Sequence, residues 1–310
     1  MGKVSAFAVK LAATALIASF AWGLDAPSNK IVDVAWVKAN LNDKNLVLVD
    51  IREGAQEYEK GHIKGAVKWL LSNFREERMG VPGYIAAPHV AQTLFRHSGI
   101  TENSVVVFYN EAKHDYDFSL PTTALLMAEY YGFEKTAVLN GGYDAWVAAG
   151  GEIEKGREHP TPSDFTIKKF NRDIVATTGE IDEIVTLGGK QLIDVRDDLQ
   201  FDGKKAHPKS AKVGHIAGAK HFFIYELCRK DSNGAYHLVL DKNYINERAA
   251  RAGVDLSKPQ VWYCNTGWDS TMGWFITKYV LGYKNVYNKD YDASLVEYTR
   301  LPSRDVVKGK

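Results

Sequence analysis

Three short patterns occur twice in this chain, in the same order, and that repetition constrains the architecture more than any single stretch does. Leu46-Val47-Leu48-Val49-Asp50-Ile51-Arg52 returns as Gln191-Leu192-Ile193-Asp194-Val195-Arg196, each an apolar run ending in Asp-x-Arg. Gly61-His62-Ile63-Lys64-Gly65-Ala66 returns as Gly214-His215-Ile216-Ala217-Gly218-Ala219. Val105-Val106-Val107-Phe108-Tyr109-Asn110 returns as Val261-Trp262-Tyr263-Cys264, which sets Asn110 opposite Cys264. Three ordered matches mark a duplicated unit. The length of 310 residues suits two domains of about 100–150 residues each.

Within each copy, short Val/Ile/Leu runs alternate with stretches of helical spacing. Pro121 to Tyr131 and Thr271 to Leu281 are examples, closed by Gly132 and Gly282. Strands alternating with helices predict an α/β fold, two units that are each a parallel sheet flanked by helices, with sites at the carboxyl ends of strands. The stretch from Gly150 to Pro162 is rich in Gly, Pro and charge and reads as the connection. The expected division is a first domain over 24–155, a linker over 156–165 and a second domain over 166–310.

The first residues read differently. Lys3 and Lys10 lead into Leu11-Ala12-Ala13-Thr14-Ala15-Leu16-Ile17-Ala18-Ser19-Phe20, followed by small residues at Ala21 and Gly23. That is the three-part pattern of a secretory signal over 1–23, cleaved near Ala21 or Gly23, with an uncleaved anchor as the alternative. The expected location is periplasmic or otherwise exported. Lys+Arg 39 against Asp+Glu 38 gives a net charge of +1, which supplies no basic excess to attract nucleic acid. In an oxidising compartment paired cysteines tend to be structural, so Cys228 and Cys264 forming one disulfide is the bland alternative. Cys228 follows the mostly apolar Phe222 to Leu227 and reads as a small buried hydrophobe.

Cys264 has a context that a structural cysteine does not need. An apolar strand ends on it and passes through Asn265-Thr266-Gly267-Trp268-Asp269-Ser270 into a helix. Free N–H groups at such a helix start favour the thiolate over the thiol, whose ordinary pKa is about 8.5. A cysteine phosphatase loop would need arginine where Ser270 stands, so that chemistry is disfavoured.

Taken together, the Asp-x-Arg strand end, the Gly-His-Ile-x-Gly-Ala turn and the cysteine loop resemble the rhodanese superfamily of sulfurtransferases, in its tandem form, over nearly all of residues 30 to 310. The resemblance implies an inactive first domain packed on a catalytic second one, as in thiosulfate and 3-mercaptopyruvate sulfurtransferases. It implies a persulfide on Cys264, loaded from a small sulfur donor and unloaded by cyanide or a thiol. The terminal sulfur is expected to lie among the amides of Asn265, Thr266, Gly267, Trp268, Asp269 and Ser270, and Arg196 matches an arginine that binds the donor anion. An internal ion pair with Asp194 is the competing role for Arg196. No cofactor or metal is needed for this chemistry, and a monomer is expected. A persulfide carrier fed by a protein sulfur donor, with little turnover of small donors, is the alternative function.

Two departures stand out against that family. Asp269 occupies a place where Arg, Lys or Thr is common; its carboxylate would repel an anionic donor and raise the Cys264 pKa, or else cap the Ser270 helix. Lys289-Asp290-Tyr291-Asp292-Ala293 stands where Gly141-Gly142-Tyr143-Asp144-Ala145 does in the first copy, predicting a remodelled turn. His62 and His215 read as structural, as do Asp50 and Asp194. The thiol-free loop Asn110 to Asp117 reads as solvated charges, with a metal held by Glu111, His114, Asp115 and Asp117 as the minor alternative.

Overall fold

The computed structural model describes residues 24–309, so the signal-like segment over 1–23 lies outside the described residues. Two five-stranded parallel sheets carry the same strand order. The first runs Ile31–Val32, Thr136–Leu139, Val105–Tyr109, Leu46–Asp50, Val67–Lys68. The second runs Val175–Ala176, Asn288–Tyr291, Gln260–Tyr263, Gln191–Asp194, Lys220–His221. Helices cover both faces, so the central strands are buried on both sides and their sequences run almost continuously apolar.

The repeated motifs make the same bonds in both copies. Arg52 pairs with Asp50 at 2.7 Å and Arg196 with Asp194 at 2.6 Å, both ion pairs buried. Each guanidinium also donates to the carbonyl of the glycine that opens the Gly-His-Ile turn, Gly61 at 2.6 Å and Gly214 at 2.8 Å. The tyrosines ending the third motif accept from Ile63 N at 3.2 Å and Ile216 N at 3.1 Å. His62 and His215 each set Nδ1 against a carbonyl oxygen, of Tyr58 and Phe201, and stack on those rings. The repeated residues thus lock the strand end to the turn above it.

The helix expected near 121–131 spans Ser119–Tyr130. That near 271–281 spans Ser270–Phe275 and continues as a wider π turn over Ile276–Val280. These two helices meet between the domains, where Thr271 Oγ1 lies 2.8 Å from Thr122 Oγ1 and 3.1 Å from Thr123 Oγ1. The connection carries no helix or strand between Glu154 and Arg172. It is nevertheless tied down, with Arg96 Nε donating to Phe165 O at 2.6 Å and the Phe165 ring buried against Phe95 and Phe133.

The turn after the last central strand differs from the expected alignment. Tyr143 N donates to Asn110 O in the first copy and Leu295 N to Cys264 O in the second, so the structural partners of Gly141 and Gly142 are Ala293 and Ser294, not Lys289 and Asp290. The shared Tyr-Asp-Ala misleads. Ala293 and Ser294 hold φ of +55° and +51°, the left-handed region that Gly141 and Gly142 occupy at +85° and +52°. A non-glycine residue is disfavoured there. The backbone turn is kept and only the residues that make it have changed.

Candidate active site

Cys264 directly follows the strand Gln260–Tyr263 and is 1% exposed. Its Sγ accepts from Gly267 N at 3.2 Å and from Ser270 Oγ at 3.7 Å. Its own N–H donates to Ser294 Oγ at 3.0 Å, and Ser294 passes a hydrogen bond on to Tyr291 O at 2.8 Å. The loop contact with the sulfur is therefore made by one amide and one hydroxyl. It does not lower the thiol pKa, however: burial, and after it the charge of Asp269, push that pKa up, outweighing the amides of Ser270 and Thr266. Burial thus works against the thiolate that the loop contacts favour.

The other loop residues divide by what they touch. Thr266 is buried beneath the strand Val81–Ile85 of the first domain, and a Cβ on Gly83 would stand 2.0 Å from Thr266 O. Only glycine permits that approach, at φ +98°. Arg75 from the same hairpin donates to Gly83 O at 2.6 Å and Gly267 O at 2.9 Å, and pairs with Asp292. Asp292 in turn accepts from Ile85 N at 2.9 Å. Trp268 is partly buried, and its carbonyl accepts from Thr123 Oγ1 at 3.2 Å. Asn265 bridges Arg196 Nη1 at 3.3 Å and Gln200 Oε1 at 2.6 Å.

Arg196 is engaged three ways, by Asp194, Gly214 O and Asn265. The internal ion pair is thus made, and the Nη1 edge faces the cysteine loop through Asn265. Asp269 stands at the helix start, but its side chain makes no capping bond. The carboxylate turns instead to the hydroxyls of Tyr225 and Ser119, and burial raises its pKa. The capping expectation is corrected: residue 269 already has helical φ and ψ, which points its side chain away from the first amides.

Sequence reasoning missed several neighbours. Asp290 is wholly buried, and burial drives its carboxyl up to about 8 against the pull of Arg75 and Ser270. Arg75, Tyr225 and Ser119 reach the loop from elements far away in sequence, and no local pattern announces them.

The first copy closes the same place by other means. Asn110 Nδ2 donates to Asp117 O at 3.1 Å, and Asp117 Oδ2 accepts from Lys113 N and His114 N, both at 2.9 Å. Glu111 pairs with Lys113. These local bonds, not a set of converging ligand atoms, hold Asp117 and Glu111. The hairpin Cys228–Leu238 of the second domain caps it, with Tyr236 N donating to Ala112 O at 2.7 Å. A cavity of about 10 Å³ is left there, the space of about one water. Each domain thus lends a hairpin to the other's loop. Cys228 lies buried in this wall with its thiol pushed up to about 12 by burial, and both cysteines are free. The disulfide alternative is not what the structure has.

With this geometry in hand, comparison with known proteins is direct. A family model described as the rhodanese-like domain matches residues 33–149 and again 177–298. The chain is 27% identical over 289 residues to the thiosulfate sulfurtransferase of Corynebacterium glutamicum, covering 91% of each. It is 26% identical over 295 residues to the sulfur carrier protein TtuD of Thermus thermophilus, covering 90% of this chain and 97% of that one. Among solved structures, the 3-mercaptopyruvate sulfotransferase SseA of Escherichia coli superposes with a TM-score of 0.73 at 23% identity, over 85% of this chain and 97% of that one. The chain belongs to the rhodanese family, as a tandem of two rhodanese-like domains in which the second carries the cysteine.

Proposed function

We propose that this protein is a sulfurtransferase that carries sulfur as a persulfide on Cys264, and the observation that carries the reading is the Gly267 N–H and Ser270 hydroxyl aimed at Sγ. In the first step the Cys264 thiolate attacks the outer sulfur of a donor such as thiosulfate or 3-mercaptopyruvate. With thiosulfate, the S–S bond of the donor breaks and sulfite leaves with the electron pair. The Cys264 persulfide keeps the negative charge on its terminal sulfur, where loop amides stabilise it as an oxyanion hole does oxygen. In the second step cyanide or an acceptor thiol attacks that sulfur, and the thiolate leaves as in thiol–disulfide exchange. Gly267 and Ser270 hold the sulfur, and the remaining amides from Asn265 to Asp269 line the loop. Arg196 faces the donor through its Nη1 edge. The chemistry uses only this chain's own residues.

Initial-rate measurements with thiosulfate and cyanide, then with 3-mercaptopyruvate, test it. Parallel double-reciprocal lines, abolished in Cys264→Ser, support a persulfide intermediate. Intersecting lines, or activity retained in Cys264→Ser, reject it.

A second reading is favoured by the burial of Cys264 and by Asp269 beside it. A buried thiol within the field of a carboxylate suits slow exchange with small anions, and a protein donor would then load the site, making the chain a persulfide carrier. Stable loading by a persulfidated protein, with slow turnover of both small donors, marks this case.

A further inference from the structure

The first domain closes with an antiparallel pairing of His62–Ile63 with Ile153–Glu154, which sets His62 opposite Glu154. A few residues on, Glu158 returns to the same histidine. The His62 side chain is 0% exposed, and its Nδ1 lies 2.9 Å from Tyr58 O. A carbonyl only accepts, so Nδ1 carries a proton and Nε2 is the ring nitrogen left to face the two carboxylates. That nitrogen has no hydrogen-bond partner among the described residues, and Glu158 Oε1 stands 4.0 Å from it. One ligand atom from each of His62, Glu154 and Glu158 lies within 4.8 Å of the others. Two carboxylates converging on a buried ring nitrogen at distances too long for hydrogen bonds favour a cation between them.

We propose that His62, Glu154 and Glu158 bind one divalent transition-metal cation such as zinc. One imidazole nitrogen and two carboxylate oxygens suit a divalent transition metal, with the remaining positions left to water. The Nδ1–H to carbonyl bond is the outer contact that fixes the tautomer of a ligating histidine. Glu154 is held in place by Gly65 N at 2.8 Å. Glu158, its side chain 38% exposed, is free to close the remaining distance. The second copy lacks the arrangement, since His215 faces Val307. The cation would staple the start of the connection to the Gly-His-Ile turn, where Glu158 N already donates to Tyr58 Oη at 3.2 Å and Gly156 N to Glu59 O at 2.9 Å.

Zinc chloride is titrated calorimetrically into the chelator-stripped full chain carrying Cys264→Ser, which removes the loop thiol as a competing ligand. One saturable site per chain is expected, with affinity reduced by about tenfold or more in both Glu154→Gln and Glu158→Gln. Zinc should raise the melting temperature of the parent and leave those of the two variants nearly unmoved. Glu158 is exposed enough that its variant keeps the fold. Absence of saturable binding to the parent, which is the outcome if a protonated His62 simply pairs with Glu158, overturns the proposal, as does parental affinity in either variant.

Discussion

The backbone N–H of Cys264 donates to the hydroxyl of Ser294, 3.0 Å away, from a residue whose φ of +51° is ordinarily left to glycine. In the first copy glycine does hold this place, and a Cβ on Gly142 would stand 2.4 Å from Asn110 O. The second copy accepts a left-handed serine and gains a hydroxyl that fixes the cysteine backbone. Ser294→Ala keeps the strained φ and loses both hydroxyl bonds, so a loss of about 1–3 kcal/mol is expected. Ser294→Gly relieves the strain, which offsets about 1 kcal/mol of that loss. Denaturant unfolding of the two variants checks the order, and an alanine variant as stable as the parent would count against it.

The Cys264 thiol should titrate above the ordinary thiol range, because burial and then Asp269 raise its pKa. The alkylation rate with iodoacetamide should therefore climb through alkaline pH. Asp269→Asn removes a negative neighbour, favours the thiolate, and should move the midpoint to lower pH. Asp269→Arg should in addition raise thiosulfate turnover by about tenfold, or about 1.4 kcal/mol of barrier. An unmoved midpoint in the asparagine variant would show that Asp269 does not act on the sulfur.

Asp290 makes stability depend on pH in an uncommon direction. Its folded pKa of about 8 lies far above the ordinary carboxyl value of 3.8. The folded chain therefore holds a proton that the unfolded chain releases. The stabilisation is complete below about pH 4 and is lost as pH rises toward about 8. Asp290→Asn should match the parent in acid and exceed it near pH 8 by an amount on the order of a few kcal/mol. Parallel stability curves for the two proteins across that window would refute the assignment.

Arg75 joins the domains at the cysteine loop through Gly83 O, Gly267 O and Asp292. Arg75→Met leaves a buried carboxylate without its partner and should cost about 3–5 kcal/mol. Lysine cannot reproduce the fork and should recover little of the loss. Thermal unfolding of the two variants, read with Cys264 alkylation at fixed pH, checks both points. A lysine variant that restores the parental melting temperature would contradict this account.

The duplication, the parallel sheets implied by alternation, and the position of Cys264 at a strand end were legible because each rests on local pattern. Asp50, Asp194, His62 and His215 were legible for the same reason, since their partners lie within a few residues or in the adjoining turn. The paired glycines were misaligned because Tyr-Asp-Ala recurs at 291–293, four residues before Leu295, the true partner of Tyr143. The contribution of Asp269 to the thiol's raised pKa was legible, while the larger one, burial, was not, since it depends on tertiary packing. Arg75, Tyr225 and Ser119 were invisible for that same reason: their role is set by tertiary approach across long sequence separations.

The central claim is sulfur held on Cys264. The measurement is the intact mass of the protein after thiosulfate, after 3-mercaptopyruvate, and again after cyanide. A gain of about 32 Da that cyanide removes and that Cys264→Ser never shows is the expected result. A protein with a free Cys264 thiol that gains no mass from either compound or from a persulfidated protein donor, or that gains it equally in Cys264→Ser, would contradict the account.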